Sequence, residues 1–198
     1  MLSRARLWIA GLSLGQWLIG LFGAAVVVGL LVTLGVALGE QSRSQPGVNT
    51  LARNSAIDPR PAPDFSLSDL DGNTVSMSEL RGRVVVLNFF ASWCVPCKLE
   101  APVLEDYWEA SDPARVAVLG IGLWDQHDDA VEFAETYGVS FPLALDHDGA
   151  VGVDYGVAGI PETLVVDHLG VLRARWVGPL SSGSLDELTR DLLRESGG

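Results

Sequence analysis

The segment Trp93-Cys94-Val95-Pro96-Cys97 constrains this chain more than any other feature. It holds the only two cysteines of the 198 residues and lies two residues beyond the apolar run Val84-Val85-Val86-Leu87-Asn88-Phe89-Phe90. Such a run reads as a central strand buried on both faces. Two sulfurs must approach to about 2 Å to bond, and Cys-x-x-Cys on the first turn of a helix places them there. A helix is accordingly expected to begin near Cys94. The first cysteine then faces the positive end of the helix dipole, which favours thiolate over thiol. A bridge over so short a loop gains little by constraining the unfolded chain. Reversible redox chemistry is thus the leading reading of the pair, ahead of a structural staple.

Charge excludes one class of function. The formal net charge is -12, and the acidic excess lies almost entirely after residue 40. That argues against nucleic-acid binding. The single lysine is Lys98, directly after the cysteines.

From Leu7 to Gly39 there are 33 residues without a charge. A bilayer core needs about 20, and a signal peptide's apolar region is about 7–15. The stretch is therefore expected to be a retained single-pass anchor, although Ala37 and Gly39 leave signal-peptide cleavage as the competing reading. Arg4 and Arg6 flank one side and Arg43 and Arg53 the other. The short basic tail favours a cytoplasmic N-terminus and an extracytoplasmic domain. Residues Glu40 to Pro63 lack periodicity and are rich in Ser, Pro, Asn and Gln, which predicts a flexible tether whose 24 residues as a coil reach about 27 Å. The expected organisation is 1–39 tail and anchor, 40–61 tether, and 62–198 folded domain.

Within that domain, Phe65 to Leu67 and Thr74 to Ser76 flank Asp71-Gly72 and read as a β-hairpin. Met77 to Leu80 reads as one helical turn. A helix is predicted from Cys94 to Ala110, kinked or interrupted at Pro102. Val116 to Leu123 reads as a second buried strand. A helix from Asp128 to Tyr137 follows, with Asp125 or Asp128 as N-cap. A short strand is expected at Leu143 to Leu145, and a turn or helix around Ala150 to Tyr155. Two strands, Thr163 to Val166 and Leu172 to Val177, precede a last helix from Ser184 to Arg194, with Ser184 and Glu187 as a capping box. Strands alternating with helices imply an α/β fold, a mixed sheet flanked by helices.

The residues Asn88-Phe89-Phe90-Ala91-Ser92-Trp93-Cys94-Val95-Pro96-Cys97-Lys98-Leu99-Glu100-Ala101-Pro102 resemble the thioredoxin superfamily, specifically its membrane-tethered ResA/TlpA/CcmG (DsbE) group. The later Tyr155-Gly156-Val157-Ala158-Gly159-Ile160-Pro161-Glu162-Thr163 is similar to that group's Gly-x-Pro-Glu-Thr segment. The resemblance covers roughly residues 62–195. It implies a thioredoxin-like domain with an N-terminal hairpin extension. It further implies a role in keeping the haem-binding cysteines of apocytochrome c reduced outside the cytoplasm, with electrons from a membrane thiol oxidoreductase. No cofactor or metal beyond the cysteine pair is expected. By position, Pro161 resembles the cis-proline facing the disulfide, which would leave the Ile160 backbone to pair with an extended substrate. Asn88 stands where thioredoxin has a buried Asp, so Asp125, after the next strand, becomes the candidate proton carrier.

Cys94 is expected to be the exposed nucleophile and Cys97 the resolving thiol. Pro96 restricts the loop between them. Trp93 is either core packing or binding surface, and Glu162 either a solvent-facing strand residue or part of the active-site rim. Two thiolates also suit Cu(I), so a copper chaperone on the same fold is one alternative. His127, His147 and His168 lie in polar turns and match no ligand motif. A general disulfide donor is the other alternative.

Overall fold

The computed structural model describes residues 14–41, 47–181 and 183–197. The chain divides into two units, Met1–Gln45 and Pro46–Gly198. In the first, helix α1 (Leu14–Gln41) has no charged residue before Glu40. Its window Trp17–Leu34 has a mean hydropathy of 2.4. By length and composition it suits a membrane span or a signal sequence. The basic tail before it lies outside the described residues.

The second unit runs in chain order as follows. Edge strands β1 (Arg53–Ser55) and β2 (Arg60–Pro61) come first, then the hairpin β3 (Ser66–Asp69) and β4 (Thr74–Ser76), and the single turn α2 (Met77–Leu80). Central strand β5 (Val84–Phe90) leads to α3 (Val95–Ala110), β6 (Val116–Leu123) and α4 (His127–Tyr137). Then come β7 (Leu143–Asp146), α5 (Ala150–Tyr155), β8 (Glu162–Val166), β9 (Val171–Val177) and α6 (Ser184–Glu195). The strands form one mixed sheet in the order β1-β9-β8-β5-β6-β7-β3-β4, with β2 also on β9. β5, β6 and β7 are parallel, and β8 runs antiparallel beside β5. This is the expected thioredoxin-like α/β architecture.

Alternation along β5 sorts the helices onto two faces. On one face Val84 packs with Leu188 and Leu192 of α6, Asn88 bonds Glu100 of α3, and Phe90 stacks on Phe133 of α4. On the other face Phe89 meets Tyr155 of α5. Every residue of β5 and β6 is buried, which explains why neither shows a polar face.

Several local expectations are corrected. Pro102 lies inside α3 and does not interrupt it. The buried stripe of Cys97, Glu100, Ala101 and Leu104 carries it past the missing amide. Gln126 is the N-cap of α4, without a side-chain bond, because Asp125 is engaged elsewhere. Gly183, not Ser184, caps α6, and the Ser184 hydroxyl turns back to accept from the Ser181 amide. The segment read as a tether contributes to both described units. Glu40 and Gln41 close α1 and 42–46 lie outside the described residues. From Gly47 onward the chain belongs to the sheet unit, because β1 and β2 pair with β9. Strands of three and two residues are too short to leave a hydrophobic period to read.

Candidate active site

β5 and β8 run antiparallel, with Phe89 opposite Glu162. The loop leaving β5 and the segment leading into β8 therefore meet at one end of the sheet. The Cys94 amide donates to the Ala91 carbonyl at 3.0 Å and so turns the chain out of the strand. Cys94 is extended (φ −80°, ψ 111°) and caps α3, its Sγ accepting from the Cys97 amide at 3.3 Å. Pro96 occupies the first turn, where a missing N–H costs nothing. Cys94 and Cys97 form a disulfide with an S–S distance of 2.11 Å and a Cα–Cα distance of 5.3 Å.

Both cysteines are buried in this oxidised state, which corrects the expectation of an exposed Cys94. Position on the helix, rather than exposure, separates them. Cys94 is at the cap with an amide aimed at its sulfur, whereas Cys97 lies on the buried stripe with Ala101 and Leu104. Around them Trp93, Val95 and Leu99 stand exposed, so Trp93 is surface rather than core. A cleft of about 350 Å³ beside Trp93 sets Lys98 against Asp129 and Glu132.

The Ile160–Pro161 peptide is cis. The Ile160 backbone, expected to stand open, is already paired. Its amide donates to the Gly47 carbonyl at 2.7 Å and its carbonyl accepts from the Asn49 amide at 2.6 Å.

Asp125 is 2% exposed and braces the loop before Cys94. Its carboxylate accepts from the Ser92 amide at 2.5 Å, the Ser92 hydroxyl at 2.7 Å and the Gln126 amide at 3.1 Å. Trp124, just before it, is the one non-glycine residue with positive φ (52°) among the described residues. Glu162 is buried in the sheet rather than solvent-facing, its Oε1 lying 3.0 Å from Nη1 of Arg175. Burial raises the Glu162 carboxyl above its ordinary range, and the Arg175 guanidinium opposes that rise. His147 contacts the Asp125 carbonyl through Nδ1 at 3.2 Å, and His127 the Leu70 carbonyl through Nε2 at 2.9 Å. Among the described residues, no three His, Cys, Asp or Glu side chains cluster to hold a metal.

Sequence reasoning missed Glu100. It lies one turn beyond Cys97 on the same helix face and is 1% exposed. Its Oε1 accepts from the Asn88 side chain at 2.7 Å and its Oε2 from the Leu180 amide at 2.8 Å, while Asn88 also donates to Thr163 at 3.0 Å. Burial pushes its carboxyl up to about 8, against the pull of the Leu180 and Asn88 hydrogen bonds. The signal was present: Glu100 is a charge on the apolar 97, 101, 104 stripe, and Asn88 a polar residue in the apolar β5 run.

The AhpC/TSA family profile matches residues 59–175, more than half of the chain. The chain belongs to the AhpC/TSA family. Its relatives in that family include the thiol-disulfide oxidoreductase ResA of Geobacillus thermodenitrificans, 31% identical over 126 residues, covering 64% of this chain and 72% of ResA. Another is the thiol:disulfide interchange protein DsbE of Allochromatium vinosum, 37% identical over 126 residues, covering 62% of this chain and 68% of DsbE. Among solved structures, a thiol:disulfide interchange protein of Chlorobium tepidum superposes with a TM-score of 0.62 at 28% identity, covering 70% of this chain and 99% of that one. This chain is accordingly a thiol–disulfide oxidoreductase of the ResA/DsbE type.

Proposed function

We propose that the chain is an anchored, extracytoplasmic reductase whose substrate is the disulfide of apocytochrome c or a similar unfolded protein, fed with electrons by a membrane thiol oxidoreductase. The observation that carries this reading is the meeting, at one end of the sheet, of the Cys94–Cys97 pair and the Ile160–Pro161 segment, with Glu100 one turn behind Cys97. The resemblance to the ResA/TlpA/CcmG group supports the substrate class, and α1 supports the anchor.

In the reduced protein the Cys94 thiolate attacks one sulfur of the substrate disulfide. That bond breaks, a mixed disulfide forms, and the departing substrate sulfur takes up a proton. Cys97 then loses its proton and attacks Cys94 Sγ, which releases the second substrate thiolate. Two electrons pass from the dithiol to the substrate. Glu100, rather than Asp125, is the carboxyl that takes the Cys97 proton. The step starts from the ionised form of Glu100, which becomes the neutral acid as Cys97 becomes a thiolate. In the oxidised protein the carboxyl, pushed up to about 8, then holds that proton at neutral pH, ready to return it when the pair is reduced again. Asp125 acts as a positioning residue through Ser92. The dithiol itself is the redox group, with no further cofactor.

The test uses the full chain in detergent and a synthetic Cys-x-x-Cys-His peptide bearing an internal disulfide. The reduced wild-type chain reduces the peptide. Cys97→Ala accumulates a mixed disulfide with it and Cys94→Ala accumulates none. Equal trapping by both variants refutes the assignment of Cys94. Net oxidation of the reduced peptide by the oxidised chain would make it a disulfide donor instead.

A further inference from the structure

The Ile160 edge is occupied by this chain itself. Val48 bridges Ile160 in parallel register, and the two backbone bonds of Gly47 and Asn49 are those an added strand would make. Asn49 Nδ2 adds a bond to the Pro161 carbonyl at 3.1 Å. The crossing is built into the neighbouring loops. At Gly159 a Cβ would come within 2.8 Å of the Gly47 carbonyl oxygen and 3.1 Å of Asn49 Oδ1. At Gly178, where φ is +92°, a Cβ would run into the Leu51 carbonyl. Only glycine at both positions lets residues 47–51 lie this close. Beyond them β1 ties the segment to β9. Its side-chain hold is limited to Val48, half-buried against the core, and the Asn49 amide, while Leu51 is 81% exposed.

We propose that residues 47–51 are a built-in pseudosubstrate strap, which a polypeptide substrate must displace before it can pair with Ile160. The proposal rests on the reading that this edge is where substrate docks. An extended peptide and the strap need the same Ile160 amide and carbonyl, and each group has one partner at a time in strand pairing. The strap is held by two backbone bonds and the Asn49 side chain, with Gly47, Thr50 and Leu51 exposed to solvent, so it can exchange. Apparent affinity for a peptide falls by the fraction of chains with the strap lifted. Disulfides too small to pair with the edge are not subject to this competition. The device therefore gates protein substrates selectively.

The experiment compares full-length wild type, Asn49→Pro and Asn49→Ala in detergent. Rates are measured for reduction of the Cys-x-x-Cys-His peptide disulfide and of hydroxyethyl disulfide. Proline removes both the amide donor to Ile160 and the side-chain bond to Pro161, whereas alanine removes only the latter. The ratio of peptide rate to hydroxyethyl disulfide rate is expected to rise about tenfold in Asn49→Pro and less in Asn49→Ala. An unchanged ratio overturns the strap. Hydrogen exchange on the wild-type chain gives a second measurement. A peptide with both cysteines replaced by serine should strip protection from the Asn49 amide, and retained protection at saturating peptide overturns the proposal. A wild-type chain that reduces hydroxyethyl disulfide but never the peptide would refute the docking reading itself.

Discussion

Replacing Glu100 with glutamine tests the buried proton site directly. Folded, the carboxyl is pushed from 4.5 up to about 8. The folded state therefore binds this proton more tightly than the unfolded state does. The stability contribution is fully present below pH 4.5 and is lost progressively as pH rises to about 8. At 1.36 kcal/mol per pH unit the whole loss is about 5 kcal/mol, of which about 3 kcal/mol has gone by pH 7. Glutamine does not titrate. It also turns an NH₂ toward either the Asn88 or the Leu180 donor, a mismatch costing about 1–3 kcal/mol at every pH. The slope therefore reports the proton and the offset reports the mismatch. Denaturant unfolding of the oxidised chain in detergent, followed by tryptophan fluorescence at pH 5, 6, 7 and 8, measures both. The stability of Glu100→Gln relative to wild type should climb by about 3.5 kcal/mol from pH 5 to pH 8, a little over 1 kcal/mol per pH unit. A difference that stays constant from pH 5 to 8 refutes a raised carboxyl at Glu100. The same variant should reduce its disulfide more slowly with dithiothreitol at pH 7, since Cys97 has lost its nearby proton.

Two further outcomes are expected. Arg175→Met strands the buried Glu162 carboxylate and should cost about 3–5 kcal/mol in denaturant unfolding. Adding Glu162→Gln should recover part of that loss, and a single variant as stable as wild type would refute the buried pair. Protease added to intact spheroplasts should release a fragment containing the sheet unit, cut near residues 40–47; complete protection would place the domain on the cytoplasmic side.

Much of this molecule was legible because its signals are local. The strand from Val84 to Phe90 and that from Val116 to Leu123 are uninterrupted apolar runs, and their observed bounds match the reading residue for residue. Asp71-Gly72 announced the hairpin, and the uncharged stretch announced α1. The cysteine spacing announced the redox helix, because the first turn of a helix brings two sulfurs at that spacing together. Glu100, Glu162 and the strap were misread or missed for a common reason. Each owes its role to a partner far along the chain: Leu180 for Glu100, Arg175 for Glu162, and Ile160 for Gly47 and Asn49. Sequence alone determined which segments become strands and helices and where the sulfurs sit, since these follow from side-chain period and from steric reach over a few residues. Tertiary structure alone decided which carboxylate is desolvated and which backbone edge is covered. Both depend on what packs across the sheet, and burial by distant residues leaves no local pattern in a chain.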